Sequence, residues 1–130
     1  MAAVAGDFLQ IASSLMADAE ATEHHRRGAI NRAYYAAYHE AMLFADELGL
    51  QVVRTNAGVH QQLVARFASS GKRHRMIGDR LSALKKMRAD ADYKLAQDFS
   101  SLDAQKHIAG CQRLIEELAR LRTSGIAQSN

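Results

Sequence analysis

The chain of 130 residues has no proline and no tryptophan, and it has a single cysteine. Without proline, no helix interior loses a backbone donor or meets a ring clash, so long helices are permitted throughout. Cys111 alone excludes an intramolecular disulfide. A lone thiol at an apolar helical position reads as a small core residue rather than a nucleophile. No run of about 18 apolar residues exists, which excludes a membrane-spanning helix. The N-terminus lacks the cationic start and apolar block of a secretion signal, so a cytoplasmic protein is expected. No stretch alternates with period two for long enough to make a strand. The eight glycines are scattered and form no G-x-x-x-x-G-K phosphate loop.

What is present is helical in character. Apolar residues make up 48% and charged residues 24%, the balance of a folded globular chain. Alanine, the best helix former, is abundant. The length suits one domain with a single core. The net charge of +3 is unevenly spread. Residues 1–53 hold three Lys/Arg against seven Asp/Glu, residues 54–94 hold ten against three, and residues 95–130 are balanced. A basic middle third can attract a polyanion such as RNA. It can equally face the acidic first third across the fold or a dimer contact.

Hydrophobic spacing predicts five helices with short connections, an all-α up-and-down bundle. The first runs from Ala3 to Ala19 and the polar segment Glu20–His24 turns the chain. The second runs from His25 to Leu48, closed by Gly49. Residues 51–56 form a loop in which Thr55 or Asn56 suits an N-cap. A short helix follows, carrying Val59, Leu63, Val64 and Phe67 inward, and Ser69-Ser70-Gly71 breaks it. The fourth helix has the seam Ile77, Leu81, Leu84 and Met87 or Arg88, and ends around Ala91–Tyr93. After a connector over 94–99, Ser100 caps the last helix with Asp103 as its capping-box acid. Ile108, Cys111, Ile115 and Leu118 are its stripe. The domain is assigned to residues 1–122, and 123–130, where periodicity fades, to a flexible tail.

The second helix has two distinct faces. Ile30, Tyr34, Ala37, Ala41, Phe44 and Leu48 fall within roughly 40° of one line, an apolar seam. Opposite lie Gly28, Arg32, Tyr35, His39 and Met42. An Arg, a Tyr, a His and a Met in place of Lys and Glu suit a partner surface or a cleft.

No metal site is expected. No two of the histidines 24, 25, 39, 60, 74 and 107 stand four apart, as two ligands on one helix face would. No cofactor motif is present either. Arg and His together remain. Metal-independent RNA cleavage needs a group that handles the 2′-hydroxyl proton, for which His suits, and a cation for the phosphate, for which Arg suits. Arg32 and His39 are one candidate pair, about 10 Å apart along the helix and roughly 20° around it. The structural alternative pairs Arg32 with Asp90 or Asp92 and lets His39 donate to a carbonyl. Arg54 and His60 are a second pair, straddling a loop and a helix start, where His60 can equally cap or pack. Tyr34, Tyr35 and Tyr38 can stack on bases, and Tyr35 lies beside Arg32 and His39. Tyr34 is on the core seam and reads as core. Lys72, Arg73 and Arg75 are the candidate ligand-binding cations of the basic segment. Arg88 and Asp92, one turn apart, are expected to form an ion pair.

The run Asn31-Arg32-Ala33-Tyr34-Tyr35-Ala36-Ala37-Tyr38-His39-Glu40-Ala41 resembles the S-R-A-Y-Y-A-x-F-H-x-A signature of HEPN-domain proteins, small helical bundles of bacteria and archaea. Val59-His60 with Leu63 and Phe67, then Leu84-x-x-x-Arg88-x-x-Ala91-Asp92-Tyr93, then Phe99-Ser100 with Ala104 and Ile108, follow in that family's order. The similarity spans roughly residues 8–120. It implies a homodimer of four- or five-helix bundles with RNA or a nucleotide as ligand. Many such proteins are metal-independent endoribonucleases serving as toxins or in phage defence, and others partner a nucleotidyltransferase or act as binding modules. Their catalytic motif is Arg, four to six residues, then His, normally opening the last long helix. Here no Arg precedes His107 at that spacing, whereas Arg32–His39 and Arg54–His60 have it on other elements.

Overall fold

Helix α2 (Glu23–Glu47) is the axis of the molecule. At 25 residues it is about 37 Å long. The computed structural model describes residues 5–17, 23–54, 56–93 and 100–128. Around α2 stand α1 (Ala5–Ala17), α3 (Val59–Ala68), α4 (Lys72–Tyr93) and α5 (Ser101–Gln128). Among the described residues α2 alone touches all four others. The expected five-helix, all-α bundle is what is found, with no strand among those residues. No described helix is long and apolar enough to cross a membrane.

The apolar seam predicted for α2 is the core. Ile30, Tyr34, Ala37, Ala41 and Phe44 are buried, with Leu48 packed at the margin. Ala29, Ala33, Ala36 and Ala45 are buried as well. Phe44 stacks on Phe67 of α3, ring centres 5.7 Å apart. Ile77 and Leu81 of α4, and Cys111, Leu114 and Leu118 of α5, complete the cluster.

The helix ends follow from local chemistry. Gly49, at φ 65°, lets Leu50 N–H reach Ala45 O at 2.9 Å and Gly49 N–H reach Asp46 O at 3.3 Å. That is a Schellman closure, and only glycine adopts its backbone without strain. Ser100 and Asp103 form the expected reciprocal box: Asp103 N–H donates to Ser100 Oγ (3.0 Å) and Ser100 N–H to Asp103 Oδ2 (3.3 Å).

Several sequence expectations need correction. The N-cap of α3 is Gly58, in extended backbone and without a side-chain cap, not Thr55 or Asn56. The loop therefore runs two residues beyond Asn56, and Gln62 side-chain N–H holds it through Ala57 O. Val59 is 59% exposed rather than inward, because it opens the helix ahead of the turn that meets α4. Glu23 and His24 already belong to α2, and residues 18–22, where the rest of the expected turn falls, lie outside the described residues. Helix α5 continues to Gln128, past the fading of its apolar stripe. The connector at 94–99 lies outside the described residues.

Candidate functional site

Four rings of α2 and one of α3 gather on one side of the bundle. Consecutive α2 positions spread Tyr34, Tyr35, Tyr38 and His39 over a broad arc, and the second residue of α3 places His60 against it. Tyr34 is fully buried, and its hydroxyl lies 2.8 Å from His60 Nδ1. The Tyr38 ring centre is 4.6 Å from that of His60 and 5.5 Å from that of His39. Phe8 of α1 stacks nearly parallel on His39, at 5.2 Å and 14°. The order of rings is thus Phe8, His39, Tyr38, His60, Tyr34.

Helix α4 supplies the charge beneath this cluster. The Arg88 guanidinium lies 5.3 Å from the Tyr35 ring centre and 5.9 Å from that of Tyr34. Its Nη2 donates to the Tyr35 hydroxyl at 3.1 Å. Arg88 Nε is 3.0 Å from Asp92 Oδ2, the ion pair the sequence predicts. That N–H is not aimed at the carboxylate, so the contact is ionic without being a hydrogen bond. Asn31 Nδ2 donates to both oxygens of Asp92 at 3.2 and 3.1 Å.

The electrostatics favour a neutral His60. Burial lowers its pKa, and the positive charges of Arg88 and Lys85 push it the same way. Burial raises the Tyr34 hydroxyl, against the lowering pull of Arg88. Tyr38 is raised by burial and by Tyr35. The Tyr34 and Tyr38 hydroxyls are therefore protonated at neutral pH.

The sequence-nominated residues fall into three groups. His60 and Tyr35 are within the cluster. His39 is at its exposed end, held by Phe8. Arg32 is exposed and makes no ion pair among the described residues, since Asp92 is taken by Asn31 and Arg88. Arg54 is exposed in the α2–α3 loop and likewise unpaired among them. Neither Arg is bonded to the His with which its spacing matched it. Lys72, Arg73 and Arg75 are exposed in the first turn of α4, which carries no acid. His74 beside them turns inward, donating through Nδ1 to Ser70 O (2.8 Å) and packing edge-on to Phe44.

The second face of α2 is partly covered within the chain. A Cβ on Gly28 would lie 3.3 Å from Leu15 Cδ1, and Phe8 covers Tyr35 and His39. Its Tyr and His are thus met in large part by Phe8 of α1, while Arg32 is exposed.

Tyr38, a stacking candidate from the sequence, is in the cluster, whereas Lys85, Arg88 and the Tyr34 hydroxyl are site groups that the sequence did not nominate. One signal pointed to Tyr34: a buried tyrosine hydroxyl must find a partner. Spacing alone does not say that the partner is His60. Among the described residues no group of three His, Cys, Asp or Glu could hold a metal ion. No family model, no curated protein and no solved structure matches the chain.

Proposed function

We propose that the protein is a HEPN-like module that binds RNA or a nucleotide, working as a homodimer, with its ligand against Tyr38, His39 and His60. The observation that carries this is the setting of His60. A half-buried imidazole is hydrogen-bonded on its inner side, flanked by aromatic rings and biased by two cations of α4. Rings offer stacking surface to bases, and cations offer a field for phosphate. In the catalytic form of this reading, a metal-independent endoribonuclease, the exposed His39 takes the 2′-hydroxyl proton, while His60, Lys85 and Arg88 stabilise the phosphate. The cation that spacing sought in Arg54 comes instead from α4.

A second reading is a non-catalytic interaction module, for example the partner of a nucleotidyltransferase. One observation favours it: Arg88 is already engaged by Tyr35 and Asp92, and Arg32 and Arg54 pair with no histidine.

Binding and cleavage of a labelled oligoribonucleotide in EDTA separate the two. The first reading expects binding that weakens at least tenfold in His60→Ala and Tyr38→Ala, with any cleavage lost in His39→Ala and His60→Ala. Arg32→Ala and Arg54→Ala rank the other candidates. Wild-type protein that neither binds nor cleaves, and neither binds mononucleotides, overturns it.

A further inference from the structure

We propose that Tyr34 is a positioning residue for His60: its hydroxyl donates to Nδ1 and fixes the imidazole as the tautomer that presents Nε2–H to a phosphate oxygen of the ligand. The part concerning phosphate rests on the reading of His60 as a ligand contact. The part concerning Tyr34 does not.

The argument is one of hydrogen accounting. The two groups are 2.8 Å apart, so one of them donates. If Nδ1–H donated to the phenol oxygen, the phenol hydrogen would need a second acceptor. Tyr34 is 0% exposed, so water is not at hand, and among the described residues its hydroxyl has no partner but His60. A buried donor left without an acceptor keeps the full cost of its desolvation. Donation from the hydroxyl to Nδ1 satisfies both groups with one bond. In a neutral imidazole the hydrogen then resides on Nε2.

The surroundings hold that state in place. Tyr38 packs at 4.6 Å and Tyr34 at 5.4 Å, restricting rotation of the ring. Facing His60 from α4 are the cations Lys85 and Arg88, which disfavour a second proton on the ring. From α2 it meets only the phenols of Tyr34 and Tyr38, with His39 on the far side of Tyr38. Nε2 lies on the side of the ring away from the buried hydroxyl and has no partner among the described residues. A single outward N–H donor in a cationic field fits an anionic oxygen, and a phosphate supplies several. A ring flipped to Nδ1–H would instead offer a lone pair there and repel the same oxygen.

Imidazole nitrogen shifts of the ¹⁵N-labelled protein, read at a pH where His60 is neutral, test this directly. Wild type is expected to show a pyridine-like Nδ1 and a pyrrole-like Nε2. Tyr34→Phe keeps the ring and removes only the hydroxyl. There the separation between the two nitrogen shifts should shrink as the other tautomer becomes populated. A merely structural Tyr34 would leave the tautomer unchanged. A pyrrole-like Nδ1 in wild type overturns the proposal, and that measurement needs no variant to fold. So does an unaltered shift pattern in folded Tyr34→Phe. Adenosine 5′-monophosphate is then added to wild type. Movement of Nε2 exceeding that of Nδ1 supports the whole. A correct tautomer with no movement at either nitrogen sustains the role of Tyr34, overturns its link to phosphate and counts against the nucleotide reading.

Discussion

His107 on α5 donates through Nε2 to the carbonyl of Ile30 on α2, 3.0 Å away in the buried seam. A carbonyl can only accept, so Nε2 carries the hydrogen and the ring is neutral with a defined tautomer. Burial lowers the pKa of His107 to about 4 from 6.5, against a smaller raising effect of the bond to Ile30. Above pH 6.5 the ring is neutral in both folded and unfolded chains, and its titration costs nothing. Between pH 6.5 and 4 the unfolded chain takes up a proton that the folded chain refuses, so stability falls. Below pH 4 both bind it and the loss levels off. A shift of this size corresponds to about 3 kcal/mol. Urea unfolding at pH 7.5, 5.5 and 4 should therefore show a steeper acid loss in wild type than in His107→Gln, whose amide can also donate to Ile30. Parallel curves for the two proteins would remove His107 as the cause.

Cys111 is one turn further along α5, its sulfur 3.5 Å from the same His107 nitrogen. A Cys–His neighbour pair can mark a reactive thiol, but this setting is the reverse. The thiol is 0% exposed, and burial raises its pKa to about 12. A neutral imidazole that already donates to a carbonyl cannot take the thiol proton. Native protein should react with a thiol reagent such as DTNB at the rate of global opening, and rapidly at one equivalent in urea. Fast labelling of the folded chain would contradict this core placement.

Arg66 is the buried charge on which the α2–α3 corner depends. Its guanidinium donates to Leu50 O at 2.8 Å and to Ala45 O at 3.2 Å, the residues that close α2, and pairs with Asp46 at 2.9 Å. The Asp46 side chain is 62% exposed. Water therefore screens that pair, and the carbonyl bonds carry most of the stabilisation. Arg66→Met should cost about 1–3 kcal/mol, since the half-buried Leu50 O loses its donor and Ala45 O keeps only the Leu50 N–H. Asp46→Ala should cost under about 1 kcal/mol. Chemical denaturation of the two variants gives the comparison, and equal losses would mean that the ion pair dominates.

These residues also mark how far the sequence could be read. The seam from Ile30 to Phe44 was legible because helical burial has a period, and a period is visible in one chain. So were the Ser100–Asp103 box and the glycine closure at Gly49, because their partners lie within a few residues. Arg66, His107 and Arg27 were not. Each donates to a main-chain carbonyl far along the chain, Arg27 to Ala91 O at 2.8 Å, and carbonyls leave no mark in a sequence. The site divides in the same way. Tyr35 and His39 stood out as odd residues on a helix face. The joining of Tyr34 to His60, 26 positions apart, comes from the packing of α3 on α2 and has no periodic signature.

Two glycines that look alike in the sequence should respond oppositely to substitution. Gly58 precedes α3 at φ −67° and ψ 174°, a backbone open to any residue, and nothing lies within 4 Å of a Cβ placed there. It is an N-cap without a side-chain acceptor. Gly58→Asp supplies one, along with a negative charge at the helix start, and should stabilise by about 0.5–1 kcal/mol. Gly78 is inside α4, where alanine ordinarily gains about 0.8–1 kcal/mol in propensity. Here a Cβ would lie 3.2 Å from both Val64 O and Phe67 Cβ of α3. One of these is main chain and the other is anchored in the Phe44 stack, so neither yields without moving α3. Overpacking of that kind typically costs about 1–3 kcal/mol, more than the propensity returns. Thermal unfolding should therefore raise the midpoint for Gly58→Asp and lower it for Gly78→Ala. A rise in both would mean that α3 can shift on α4, and the backbone that carries His60 would then be less firmly placed than its contacts imply.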